Sequence, residues 1–167
     1  MRKYTFTHFI LVALALFVTP VLAEHHPKQD IELIMPWSKE VPPTSTVTAA
    51  FVTIMNHTSA DDELLSASSP IAKKTELHEH LHQDGMMKMR QVSTISIPAN
   101  SETLLKPGGL HVMFFDLTQV PKVGDTFPMA LTFKHAGKMS VNVKVEPATF
   151  QAPTSTETEK KHMHHHH

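Results

Sequence analysis

Residues 74–92 read KTELHEHLHQDGMMKMRQV. In an extended strand, successive side chains point to opposite faces, so Leu77 and Leu81 fall on one face. His78, His80 and His82 fall on the other. The first half of this segment therefore predicts a strand with one apolar face and one face of imidazoles.

A hairpin is predicted directly after this strand. Gln83-Asp84-Gly85 is a turn signal, so Met86–Val92 should return antiparallel with Met87 and Met89 on one face. A four-residue loop would place Met89 opposite His78, and a two-residue loop would shift it by one pair. With either loop, Met89 and His78 come within reach of one metal ion.

The rest of the chain consists of short β-type runs separated by turn signals. About nine short strands at this spacing, without helical periodicity, predict an all-β fold built as an antiparallel Greek-key β-sandwich. The first strand is expected to stop at Pro36, and Trp37 is expected to anchor the core. The other predicted strands cover residues 45–55, 64–68, 95–98, 103–105, 110–117, 127–133 and 139–145.

The N-terminal residues have the pattern of an export signal. Arg2 and Lys3 precede the apolar run 9–18, and Val21-Leu22-Ala23 is a small-residue cleavage site. The run is too short to span a hydrocarbon core comfortably, which disfavours an uncleaved membrane anchor. We therefore expect cleavage after Ala23, a periplasmic location and no stable membrane insertion.

The length and composition indicate one domain with a polar tail. We expect a signal peptide at 1–23, a domain at 24–150 and a disordered His-rich tail at 151–167. The formal net charge is −1 and would become −3 without Arg2 and Lys3. Nothing in this charge suggests a nucleic acid as partner.

The absence of cysteine excludes two classes of function. A blue-copper electron carrier needs a cysteine thiolate, and disulfide exchange needs thiols. A metal site made of thioethers and imidazoles is compatible with this composition.

Four residues combine spacing and chemistry that point to such a site: His78, Met89, His111 and Met113. Ten residues separate the first two, twenty-one separate Met89 from His111, and one separates His111 from Met113. Thioethers are soft donors that favour Cu(I), and imidazole accepts copper in either oxidation state. The set therefore predicts a Cu(I) site.

This spacing resembles that of the periplasmic copper chaperones of the PCu(A)C family. Flanking segments share the resemblance: Asp84-Gly85, 87–90 and 106–109. The resemblance implies a cupredoxin-like sandwich and delivery of copper to a haem–copper oxidase, at its dinuclear copper site, or to a thiol-bearing assembly factor. Many members carry Met where this chain has His80, so the ligand shell here is expected to contain more nitrogen.

Further histidines are candidates for auxiliary copper ligands. His80 and His82 share the predicted strand face of His78. His25 and His26 would follow the new amino terminus, where they could take Cu(II). The tail adds a group that suits Cu(II) and that could alternatively be an expression tag: His162, Met163, His164, His165, His166 and His167.

The function predicted from these features is that of a monomeric copper chaperone, not an enzyme, with Cu(I) as its metal and Cu(II) as a second candidate. Its partner would be the copper-acceptor protein. Two alternatives are a periplasmic copper-buffering or resistance protein and an enzyme that oxidises or reduces copper. Nothing in the sequence supplies an electron acceptor or donor for the last of these.

Overall fold

The computed structural model describes residues 30–83 and 85–153, and these form ten strands without a helix. The strands are β1 (Ile31–Lys39), β2 (Val47–Asn56), β3 (Asp62–Ser68), β4 (Ala72–Gln83), β5 (Met86–Val92), β6 (Ile95–Ile97), β7 (Ser101–Leu105), β8 (His111–Leu117), β9 (Thr126–Phe133) and β10 (Lys138–Glu146). The all-β prediction is confirmed.

The strands are hydrogen-bonded in the order β5-β4-β8-β2-β1-β10-β9-β3-β6, and β7 pairs with β2. All pairings are antiparallel except β1 with β10, which is parallel. β2 pairs with β8 along its first half and with β7 along its second.

The alternating apolar residues of these strands meet in one core. Fully buried members come from both halves of the sheet, for example Ile54, Phe114 and Leu131. Burying a side chain of this size stabilises the fold by about 1.5–3 kcal/mol. A domain of this length can therefore be stable without disulfides.

The strands β4, β8 and β2 have two distinct faces. Leu77 of β4 pairs with Val112 of β8, which pairs with Ala50 of β2, and all three belong to the core. The next residues along these strands, such as His78 and Phe51, point to the opposite face. This outer face carries the imidazoles.

The prediction that the first strand ends at Pro36 is wrong, since β1 continues to Lys39. The pairing of β1 with β2 shifts register between Ile34 and Trp37, and Met35 within the bulge has a φ of 48°. A bulge leaves residues outside the hydrogen-bond ladder, which is where a strand tolerates proline.

Trp37 is buried, as expected, but it lies outside the core cluster. Its ring packs against Phe51 at a centroid distance of 4.7 Å and against Phe150 at 4.9 Å. Phe150 thus fastens the end of the described chain to the outer face.

No helix of the described residues is long and apolar enough to cross a membrane. The expected signal peptide, His25, His26 and the histidines of the tail fall outside the described residues. The backbone of His82 is described, in β4 opposite Met87.

Candidate metal centre

His78 and His111 lie directly opposite each other on β4 and β8, with ring centroids 5.8 Å apart. Only 9% of His78 and 2% of His111 is exposed. The pairing of β4 with β8 places both residues on the outer face. Two imidazoles that are far apart in the sequence are therefore neighbours in the sheet.

The hydrogen bond that His111 makes determines which of its nitrogens is free. Its Nδ1–H donates to the carbonyl oxygen of Gly109 at 2.9 Å. In the neutral ring, Nε2 therefore carries the lone pair. Burial lowers the pKa of His111; the bond to Gly109 opposes this, and the nearby His80 and His78 lower it further. The net pKa lies below the ordinary value, which favours the neutral ring that a metal requires.

Met89 brings a thioether sulfur to the free nitrogen of His111. Its Sδ lies 3.1 Å from Nε2 of His111. The hairpin has the two-residue loop, since Gln83 pairs with Met86 and Met89 pairs with His80. The shift by one pair still leaves Met89 on the outer face, where it contacts His111.

His78 is held by a residue that the sequence analysis missed, Glu76. The carboxylate of Glu76 lies 2.8 Å from Nε2 of His78 and 2.6 Å from Nζ of Lys74. These two bonds, Lys74 first, lower the pKa of Glu76 below its ordinary value. A carboxylate can only accept, so Nε2 of His78 carries the proton and Nδ1 carries the lone pair. That Nδ1 is buried and has no hydrogen-bond partner.

The position of Glu76 could have been inferred from strand periodicity. It precedes His78 by two residues, so the two share a face of β4. A carboxylate that orients the second ring nitrogen of a ligating histidine is common around metal sites.

Met113 lies two residues beyond His111 on the same face of β8. It is half-buried, and its register partners are Glu76 on β4 and Ala49 on β2. The structure thus places Met113 on the same face as the two imidazoles, two residues along β8, while Met89 approaches from the hairpin. All four predicted ligands lie on adjacent strands of one face.

Aromatic rings form the apolar walls of this cluster. Phe115 packs against His78 at 5.9 Å, and Phe51 packs against His111 at 6.4 Å. Such walls keep water from the buried ligands and lower the local dielectric, conditions that favour uncharged donors.

His80 is half-buried and stacks on His111, with centroids 5.0 Å apart and an interplanar angle of 25°. Its Nδ1, like that of His78, is buried without a hydrogen-bond partner. Copper binds well to imidazole nitrogens and thioether sulfurs, and here the ring nitrogens without hydrogen-bond partners lie beside thioethers. The residues present therefore fit copper.

The chain resembles known proteins over this same region. A family model described as "Putative lipoprotein LpqE-like" matches residues 31–145. "Putative lipoprotein Lxx21020" of Leifsonia xyli subsp. xyli is 32% identical over 103 residues, 61% of this chain and 62% of that protein. "Uncharacterized protein RP573" of Rickettsia prowazekii is 28% identical over 122 residues, 69% of this chain and 66% of that protein. The chain spans less than two thirds of the length of either relative.

Solved structures share the fold. The solution structure of CuI-DR1885 from Deinococcus radiodurans is 28% identical, with a TM-score of 0.60 over 76% of this chain and 87% of that one. The copper-bound PCuAC domain from PmoF2 is 23% identical, with a TM-score of 0.60 over 71% of this chain and 93% of that one. The cupredoxin-like β-sandwich expected from the sequence is thereby confirmed. The chain belongs to the LpqE-like family, and its β-sandwich has the fold of PCuAC domains.

Proposed function

We propose that this chain is an exported copper chaperone that holds Cu(I) at His78, Met89, His111 and Met113. The observation that carries this proposal is the 3.1 Å approach of Met89 Sδ to the unprotonated Nε2 of His111. Two neutral electron-pair donors face each other there, an arrangement that a bound soft cation would stabilise.

Neutral donors also suit transfer of the ion. With no thiolate in the set, one ligand can leave while an incoming donor from an acceptor binds, and no proton needs to move. DR1885 is named as a Cu(I) form, which supports Cu(I) as the cargo of this chain. The proposed role is that of a carrier, in which no bond of a substrate is made or broken.

The acceptor we propose is the dinuclear copper site of a haem–copper oxidase, or a thiol-bearing assembly factor that serves it. The resemblance to PCu(A)C proteins supports this acceptor. The export signal predicted at 1–23 and the lipoprotein description of the matching family support a periplasmic location. We propose that the carrier acts as a monomer.

Competition titration with a Cu(I) chelator tests the ligand set. Two substitutions, Met89→Leu and Met113→Leu, keep the side-chain volume but remove the sulfur. Each should lower the affinity for Cu(I) at least about tenfold. The affinity for Zn(II) should fall much less, since this ion gains little from a thioether ligand. Met139→Leu on β10 is the matched control, and its Cu(I) affinity should equal that of the unaltered chain. Equal losses for both metals would contradict a thioether site.

A deletion strain separates delivery from buffering. Delivery predicts loss of oxidase activity at low copper and recovery when copper is added. Sensitivity to high copper with normal oxidase activity would instead indicate a buffering or resistance protein.

A further inference from the structure

His80 is held against two of the proposed ligands at once. It is the register partner of Met89, and its ring stacks on His111 at 5.0 Å. Its backbone N–H donates to the carbonyl oxygen of Gly109 at 3.2 Å. The same oxygen accepts the Nδ1–H of His111, so one carbonyl holds both the backbone of His80 and the ring of His111.

The ring of His80 has an unused donor. Its Nδ1 is buried and has no hydrogen-bond partner. A buried nitrogen in this condition is destabilising, and native structures keep few of them without a functional reason. In the neutral tautomer that is protonated at Nε2, this Nδ1 carries a lone pair that a metal ion at the site would accept.

The arrangement nevertheless argues against His80 as a resident ligand. Within residues 30–83 and 85–153, no three His, Asp or Glu side chains are grouped so that they could hold one ion. The three imidazoles therefore do not share a single metal position in this arrangement. His80 also lies further out than its neighbours, half-buried beside His78 at 9% exposed and His111 at 2%.

We propose that His80 is an exchange ligand, a donor beside the resting site that binds Cu(I) transiently as the ion enters or leaves past Met89. This inference rests on the proposed function. Met89 is 48% exposed, so the open side of the site is the side on which His80 lies. A bond from the ion to Nδ1 of His80 would form as the bond to His78 breaks, with both rings neutral and no electron or proton transferred.

Transfer kinetics test the proposal in the full chain. The protein is loaded with one equivalent of Cu(I) without oxygen and mixed with excess bathocuproine disulfonate, and the rate of chelator complex formation is followed. The Kd is measured separately by competition. His80→Ala should slow transfer about tenfold or more and leave the Kd unchanged. His80→Met, which restores a neutral soft donor, should recover most of the rate.

His57→Ala is the control variant. His57 follows the far end of β2 and pairs with Glu32 at 2.9 Å. It lies eight residues beyond Ala49, the residue opposite Met113, which is roughly 26 Å along the strand. Its rate and Kd should match those of the unaltered chain, and circular dichroism should show every variant folded. The tail histidines are present in all variants and cancel in the comparison.

Two outcomes would overturn the inference. If His80→Ala raised the Kd in proportion to any change in rate, His80 would be a resident ligand. If it changed neither, His80 would be a bystander. Failure of the proposed function looks different, because His111→Ala and Met89→Leu would then leave Cu(I) affinity unaltered.

Discussion

At the scale of single residues, one hydrogen bond to each of the two proposed histidine ligands determines which ring nitrogen carries the lone pair. Glu76 on His78 and Gly109 on His111 decide which ring nitrogen is free, and both bonds depend on strand register and loop geometry. The spacing and softness of the four His and Met residues are visible in the sequence, and so is the position of Glu76 two residues before His78. The bond from His111 to Gly109 is not visible there, because a backbone carbonyl is common to every residue type.

The substitution Glu76→Gln should lower the affinity for Cu(I) by about 10- to 100-fold. The amide oxygen can still accept Nε2–H of His78, but without the negative charge the bond is weaker and the ring is a less basic ligand. Competition titration measures the effect. Glu79→Gln on the same strand is the control, since Glu79 pairs with Arg90 at 2.6 Å instead of with a proposed ligand. Similar losses in both variants would show that only surface charge matters.

Asp62 should make stability depend on pH. Burial raises the pKa of this carboxyl, but backbone N–H groups of His135, Ala136 and Glu63 outweigh burial and hold the pKa below its ordinary value. A lowered folded-state pKa gives stability that is present above the unfolded-state value of about 3.9 and is lost as pH falls through the folded-state value.

Asp62→Asn should therefore lower the free energy of unfolding at pH 7 by about 1–3 kcal/mol, because an amide nitrogen replaces one carboxylate oxygen that accepts backbone N–H groups. The difference from the unaltered chain should shrink as the pH falls below about 4. Urea unfolding at several pH values measures it. A difference that stays constant across this range would refute the role of the ionised carboxylate.

At the scale of elements, alternation along β4 predicted the hairpin and its face of imidazoles. It left open whether Met89 lies opposite His78 or one pair away, because loop length and turn type set the register, not periodicity. The structure has the two-residue loop, with Gly85 at a φ of 74°. The error at Pro36 has a related cause, since a bulge is invisible to a rule that stops strands at proline.

Gly85 should affect the affinity for copper only through the conformation of the β4–β5 hairpin. A Cβ at Gly85 would meet no atom within 4 Å, so Gly85→Ala costs only the left-handed conformation, about 1–2 kcal/mol. Gly137, in the β9–β10 hairpin, has a φ of 75° and equally open surroundings. Both variants should lose similar stability on thermal unfolding, whereas only Gly85→Ala should weaken Cu(I), because β5 carries Met89. If the Gly85→Ala and Gly137→Ala variants bound Cu(I) with equal affinity, the conformation of the β4–β5 hairpin would not contribute to Cu(I) binding.

At the scale of the whole molecule, short alternating strands made the all-β class predictable, but the path of the chain was not. The parallel pairing of β1 with β10 joins residues about a hundred positions apart, and no local pattern specifies it. The same holds for the placement of the donors on the outer face, which emerges only when β2, β8 and β4 lie side by side.

The tail should bind a second copper as Cu(II). Its five histidines supply imidazoles without thioethers, a donor set that suits Cu(II). Removal of residues 154–167 should abolish most Cu(II) uptake and leave Cu(I) affinity and the thermal midpoint unchanged. Cutting after Pro153 keeps the contact of Phe150 with Trp37. Equilibrium dialysis gives the stoichiometry, and full Cu(II) uptake by the shortened chain would make the tail irrelevant.

Because the donors stand on the side of the sheet that faces away from the core, folding and metal choice are under separate control. His78, His80 and Met113 are not members of the core cluster that contains Leu77 and Val112. An imidazole can therefore be replaced by a thioether on this face, which changes the preferred metal ion without altering the core of the fold. The exchange of Met for His at position 80, expected from the family resemblance, is a change of this kind.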